Sequence, residues 1–228
     1  MRGYSAVSID RPQLPAAVAQ AGIGANALGL LVKFDKHSPV FMAGDDAERF
    51  FEVESGAVML YRILDDGRRQ VVEIVFAGGI CGLAAGALQE SCCETLMPSV
   101  LRSYKKTDLG RSDALRTRIS EKLQAQLASM HDHVVTLGRK TAQERVCTLI
   151  LKLRDIEHPP ASEDGGEGAI ALPMSRTEIA DYLGLTLETV CRTLTDLNRR
   201  KLVEQGRKKS EFRVKDLPRL KRAACWDA

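Results

Sequence analysis

Glu188 and Arg192 stand four residues apart in LTLETVCRTLTDL, so on a helix both side chains project from one face. An arginine can take O6 and N7 of a guanine bidentately, and a carboxylate can accept from the amino group of cytosine. The pair is therefore suited to reading a G·C base pair. The same spacing also makes an ordinary surface salt bridge, and the pair taken alone favours that blander reading. Cys191 lies directly beside Arg192. A thiol near a helix start, with a guanidinium adjacent, tends toward the reactive thiolate, and its oxidation would add bulk and negative charge. The other reading of Cys191 is a small residue with no redox role.

The elements that must position these residues are legible around them. MSRTEIADYLGLTLETVCRTLTDLNRRKLV has the spacing of a helix-turn-helix. Ser175 followed three residues later by Glu178 is a capping box that starts a first helix, and Ile179, Ala180 and Leu183 give that helix an apolar face. Gly184 supplies the turn, where a positive φ would exclude most side chains. Thr186 can cap the second helix, with Glu188 and Thr189 in its first turn near the positive end of the dipole. Val190, Leu194 and Leu197 face inward at helical spacing, which leaves Leu187, Glu188, Cys191 and Arg192 on the outer side. Beyond them, LVEQGRKKSEFRV is two short β runs around Gly206, with Arg207, Lys208 and Lys209 at the tip. A basic hairpin placed so is a wing that touches phosphates. With this context base reading outweighs the salt bridge. The expected DNA-contacting set is Leu187, Glu188, Cys191, Arg192, Ser175, Arg176, Thr186, Arg207 and Lys208.

Charge supports that assignment. The 228 residues carry a net charge of only +3, but residues 175–228 hold thirteen Lys/Arg against eight Asp/Glu, a local excess of five. Hydrophobic content of 44% and charged content of 28% are ordinary for a soluble protein. No apolar run is long enough to span a membrane, and residues 1–27 read as a loose arm without the layout of a secretory signal. The six cysteines (81, 92, 93, 147, 191 and 225) form no CxxC pair and no zinc spacing, so reduced thiols and no metal site are expected. Vicinal Cys92 and Cys93 read as two buried small residues, with a redox pair as the alternative.

Residues 28–110 read as strands: LLVKF, PVFMAGD, ERFFEVESGAVMLYRIL and RRQVVEIVF, with Asp65-Asp66-Gly67 as a hairpin connection and Gly56 as a bulge or corner. Such a series predicts a small barrel or jelly roll. Across 111–140 the period changes. Leu115, Ile119, Leu123, Leu127, Met130, Val134 and Leu137 form one stripe on a long helix. Self-pairing in a dimer is the favoured reading, because the helix joins two modules; packing on its own domain is the other. His131 and His133 on this helix read as solvated. A second helix, TAQERVCTLILKLRDI, and a Pro/Gly/acid-rich connection, EHPPASEDGGEGA, lead into the winged unit, which takes 141–228.

These residues resemble the Crp/Fnr family of bacterial transcription regulators over nearly the whole chain. SRTEIADYLGLTLETVCRTL is similar to the family's recognition motif, and FFEVESGAVMLYRILDDGRRQVVEIVFAGGICGL to its sensor barrel. The resemblance implies an α+β chain: a cyclic-nucleotide-binding-like β jelly-roll barrel, a long dimerisation helix and a C-terminal winged helix-turn-helix. The Glu-Thr-Val-x-Arg core with Leu187 before it is similar to the Fnr and FixK branch, which reads TTGAT and its complement ATCAA. On that branch Cys191 stands where serine is usual, and the cAMP-responsive branch has Arg at the place of Leu187.

Two departures bear on the sensor. Oxygen-sensing relatives hold an iron–sulfur cluster on cysteines near the N-terminus, whereas the first cysteine here is Cys81. Cyclic-nucleotide binders place an Arg in the pocket and an acid after the Gly. Here Leu83 follows Gly82, and no Lys or Arg occurs between Arg69 and Arg102, so a buried phosphate would be uncompensated.

The resulting expectation is a cytoplasmic, FixK-like homodimer that needs no cofactor and binds palindromic double-stranded DNA. It engages RNA polymerase, as an activator of low-oxygen or nitrogen-metabolism genes. A ligand- or haem-gated regulator is the alternative. An enzyme is rejected, because no nucleophile–base set, phosphate loop or metal set is present.

Overall fold

The computed structural model describes residues 29–157, 169–206 and 211–225. The expected arm at 1–27, most of the Pro/Gly-rich connection, and Arg207, Lys208 and Lys209 lie outside these residues. Eight strands come first: β1 Leu30–Phe34, β2 Pro39–Phe41, β3 Arg49–Ser55, β4 Ala57–Ile63, β5 Arg69–Phe76, β6 Ile80–Cys81, β7 Cys92–Thr95 and β8 Ser99–Lys105. They pair antiparallel in two four-stranded sheets, ordered β1-β8-β3-β6 and β2-β7-β4-β5. Between β3 and β4 the chain leaves one sheet for the other, and Gly56 is the corner. Its φ is +90°, and a Cβ there would stand 2.2 Å from the Ser99 hydroxyl, so a side chain is excluded twice over.

Strands β6 to β8 are missing from the runs singled out in the sequence. In β8, SVLRSYK, two of the inward positions are Ser99 and Ser103, both buried. Buried serines conceal the apolar alternation that marks a strand. Ser103 accepts from Arg49 at 2.9 Å, and Ser99 accepts from the Ala57 amide at 3.2 Å, so burial leaves neither hydroxyl unpaired.

The second sheet is apolar on both faces. Val58, Val75 and Cys93 join Val32, Phe41, Phe51 and Leu101 in the barrel core. Ala57, Met59, Tyr61, Val71 and Cys92 face the other way, into a cluster shared with the C-terminal unit. The unbroken apolar run AVMLY therefore has a cause: both faces are covered. Cys92 and Cys93, adjacent in β7, are both buried but fall on opposite faces.

A 3-10 turn at Lys106–Gly110 leads to α1, Asp113–Arg139, capped by Ser112. Leu115 and Ile119 do not face a partner chain. They pack with Phe50, Ile80 and Tyr104 of the barrel. Leu123, Leu127, Met130 and Val134 are 37, 52, 41 and 66% exposed, and Leu137 is half-buried. At about 100° per residue, each step of four carries the stripe about 40° around the helix and each step of three returns it about 60°. Leu115, Ile119 and Leu137 therefore point back at their own chain, and the four between them point away. The same rotation puts His133 at the angle of Leu115, and it is buried, contrary to the solvated reading; His131 is exposed. Beneath α1, buried Glu52 accepts from Lys122 Nζ at 2.7 Å and from Tyr104 Oη at 3.0 Å, and pairs with Arg118 at 3.2 Å. Burial raises its pKa, but the bonds from Lys122 and Tyr104 outweigh that and leave the carboxyl below its ordinary value.

The C-terminal unit consists of α2 Ala142–Glu157, β9 Ala169–Ala171, α3 Arg176–Leu183, α4 Leu187–Arg199, β10 Val203–Gln205, β11 Glu211–Val214 and α5 Leu217–Ala223. Strands order β10-β11-β9. β9 and α5 are additions to the sequence reading. Within the basic stretch after residue 175, Leu217–Ala223 forms a helix capped by Asp216, with Leu220 buried.

Candidate nucleic-acid interface

The capping box forms as the sequence implies. The Glu178 amide donates to Ser175 Oγ at 3.2 Å, and the Ser175 amide donates to Glu178 Oε2 at 2.6 Å. α3 ends on Gly184 at φ 61°, ψ 42°, left-handed, where the amide returns to the Ala180 carbonyl. Thr186 then caps α4 by accepting from the Thr189 amide at 3.2 Å. Two capped helices joined by three residues, Gly184 to Thr186, fix the direction in which α4 leaves the turn.

Val190, Leu194 and Leu197 of α4 are buried at 0, 3 and 0% exposure. Each contributes about 1.5–3 kcal/mol by leaving water, which sets the rotation of the helix about its axis. That rotation presents Leu187, Glu188 and Arg192 to solvent and leaves Cys191 half-buried. Among the described residues no ion pair joins Glu188 to Arg192, so the salt-bridge alternative is not what this structure adopts. Ser175, exposed, and Arg176, half-buried, begin α3, and exposed Thr186 begins α4, so each sits at a helix N-terminus, the end that favours anions.

Three further interactions position this unit; none is anticipated from the sequence, where His133 reads as solvated. Arg145 of α2 donates to three carbonyls: Leu137 at 2.7 Å, Lys140 at 2.9 Å and Leu183 at 2.8 Å. One guanidinium thus ties the end of α1 to the end of α3. Its signal was a cation four residues before Leu149 on the apolar side of that helix. His133 of α1 stacks on Tyr182 of α3. Burial, and then the charges of Lys152 and Arg145, bring the imidazole down to about 4. Between the barrel and α3, Arg69 Nε donates to Asp181 Oδ2 at 2.8 Å across 112 positions of sequence. Beside them, burial pushes the Glu73 carboxyl up to about 7 against a bond from Gln126.

The barrel interior is closed by Phe41, Phe51, Val53 and Leu101. Among the described residues no Lys or Arg is buried. A cavity of about 480 Å³ lies outside the barrel, between β8 and the start of α1, lined by Glu54, Arg102, Tyr104 and Arg118 among others. Its arginines are already paired with Glu54 and Glu52.

Comparison with known proteins agrees with this architecture. Residues 31–111 match the cyclic nucleotide-binding domain, and residues 144–223 match the Crp-like helix-turn-helix domain. The nitrogen fixation regulation protein FixK of Bradyrhizobium diazoefficiens is 35% identical over 176 residues, covering 75% of this chain and 73% of the relative. FixK of Azorhizobium caulinodans is 36% identical over 211 residues, covering 88% and 77%. The solved structure of FixK2 from Bradyrhizobium japonicum superposes with a TM-score of 0.74 at 32% identity, over 89% of this chain and 100% of that one. With the barrel, the long helix and the outward face of α4 all in place, this chain belongs to the Crp/Fnr family of transcription regulators and is FixK-like within it.

Proposed function

We propose that the chain acts as a homodimer that reads a TTGAT/ATCAA palindrome, activating genes of nitrogen fixation or low-oxygen metabolism together with RNA polymerase in the cytoplasm. The observation that carries the reading is the outward, unpaired placement of Glu188 and Arg192 on a helix whose other face is buried. The same face carries Leu187 and the edge of Cys191. The exposed seam of Leu123, Leu127, Met130 and Val134 supports pairing of two α1 helices, which sets two half-sites about one helical turn apart. Similarity to FixK supports the regulon. An apolar barrel without a buried cation supports operation without an anionic nucleotide. The alternative role for Cys191, a contact whose oxidation weakens binding, rests on its half-buried place beside Arg192.

The test is binding of the purified chain to the palindrome and to a scrambled duplex, beside Arg192→Ala. The variant is expected to lose about 1–3 kcal/mol of discrimination between them. A preference equal to that of the unaltered chain would overturn the assignment.

A further inference from the structure

The surface where the barrel meets α3 contains a donor set whose grouping base reading does not require. His37, in the turn between β1 and β2, brings Nδ1 to 3.1 Å from Glu94 Oε1 of β7 and 3.7 Å from Glu178 Oε1 of α3. The three donor atoms all lie within 4.8 Å of one another. We infer that His37, Glu94 and Glu178 form a binding site for a divalent first-row transition cation that links the barrel to the first helix of the DNA-reading unit.

The chemistry fits the ion. An imidazole with two carboxylates suits zinc, iron or manganese. Ligand atoms about 2.0–2.2 Å from such an ion stand roughly 3–4.4 Å from one another, close to the spacing found. Two donors come from one rigid piece. His37 is held at φ +58°, a conformation uncommon outside glycine and asparagine, by its amide donating to the Thr95 carbonyl at 2.9 Å. The Thr95 hydroxyl accepts from the Ser38 amide at 2.9 Å and donates to the Asp35 carbonyl at 2.6 Å. Thr95 directly follows Glu94, so one residue orients both barrel donors.

The third donor is a buried charge with one oxygen to spare. The Glu178 side chain is 5% exposed. Its Oε2 is engaged by the Ser175 amide, and its Oε1 faces His37 beyond hydrogen-bond distance. Two carboxylates gathered around one imidazole leave excess negative charge at a partly desolvated place, which a divalent cation neutralises. His37 is half exposed, at 46%, and Glu94 21%, so the open side admits the ion and leaves room for water to complete its coordination. The donors stand at positions 37, 94 and 178, so no local spacing in the sequence could announce them. Occupancy would fix the angle of α3, and with it α4, against the barrel.

The site is tested on the full chain, stripped with a chelator and titrated with Co²⁺ while absorption and thermal unfolding are followed. One Co²⁺ per chain is expected, without thiolate charge-transfer absorption, and with a rise in Tm. His37→Gly removes the imidazole and tolerates the positive φ. Glu94→Gln removes a carboxylate from the strand edge. Glu178→Gln keeps an oxygen for the Ser175 cap. Each should weaken binding about tenfold or more and abolish the rise in Tm, with the far-UV circular dichroism unchanged. Equal affinity in Glu94→Gln and Glu178→Gln, thiolate absorption placing the ion on cysteine, or no stoichiometric binding would each reduce the cluster to a helix cap beside a surface hydrogen bond. None of these results depends on which DNA sequence α4 reads.

Discussion

The imidazole of His133 lies flat on the ring of Tyr182, with centroids 4.0 Å apart and planes 4° apart. The stack joins α1 to α3, so the helix that carries the exposed seam touches the first helix of the DNA-reading pair. Among the described residues no hydrogen-bond partner reaches His133 Nε2, and protonating it there would place a charge near Lys152 and Arg145.

A pH dependence follows. The folded state holds His133 at about 4 against an ordinary 6.5, so between those values the folded chain binds fewer protons than the unfolded one. Stability linked to His133 is full above about 6.5 and is lost as pH falls from there to about 4. Glu73, raised to about 7 from 4.5, acts with opposite sign: its contribution is full below about 4.5 and is lost as pH rises through 7. His133→Phe keeps the stack and removes one titration. Its Tm should fall less than that of the unaltered chain between pH 7 and pH 5, and parallel curves would show that His133 does not govern the acid limb.

Arg145 offers a sharper destabilisation. Replacing it with Met strands the carbonyls of Leu137, Lys140 and Leu183, and bonds from a charged donor are worth about 1.5–3 kcal/mol each. A loss of about 3 kcal/mol or more in urea unfolding is expected. A change within about 0.5 kcal/mol, the range of ordinary surface substitutions, would mean that water satisfies those carbonyls equally well.

The seam on α1 can be tested separately from the fold. Leu127→Glu with Val134→Glu places charges only at exposed positions and should yield monomers in sedimentation velocity with the thermal transition of each chain retained. Leu115→Glu should instead unfold the contact between barrel and helix. A doubly substituted chain that still sediments as a dimer places the interface elsewhere.

Oxidation can be assigned to one thiol. Cys81, Cys92, Cys93 and Cys147 are buried, Cys191 is half-buried and Cys225 is exposed. After mild peroxide, DNA binding should fall in the unaltered chain and in Cys225→Ser, but hold in Cys191→Ser. Loss of binding that persists in Cys191→Ser would remove the switch from α4.

The helix-turn-helix was legible because its signals are local. The Ser175–Glu178 capping box, the left-handed Gly184, the Thr186 cap and the spacing of Val190, Leu194 and Leu197 all act within one or two turns of the chain, and each appears as read. The Gly56 corner and the wing strands on either side of Gly206 were equally local. β8 escaped because serines occupy its inward positions, and α5 escaped because its basic residues masked a single buried leucine.

The sequence by itself determined where the helix-turn-helix and the long helix lie and which face of α4 turns outward, since capping and periodicity operate over a few residues. Only the tertiary structure decided what each face meets. The stripe on α1 precesses around the helix, so whether Leu115 or Leu127 stays covered depends on where the barrel sits. His133 is buried because Tyr182 arrives 49 positions later. Arg145, Arg69 with Asp181, and the trio of His37, Glu94 and Glu178 take their meaning from partners distant in the chain. Such pairings leave no periodic trace in sequence, because hydrogen bonds and charge act over a few ångströms of space regardless of the length of chain between their partners.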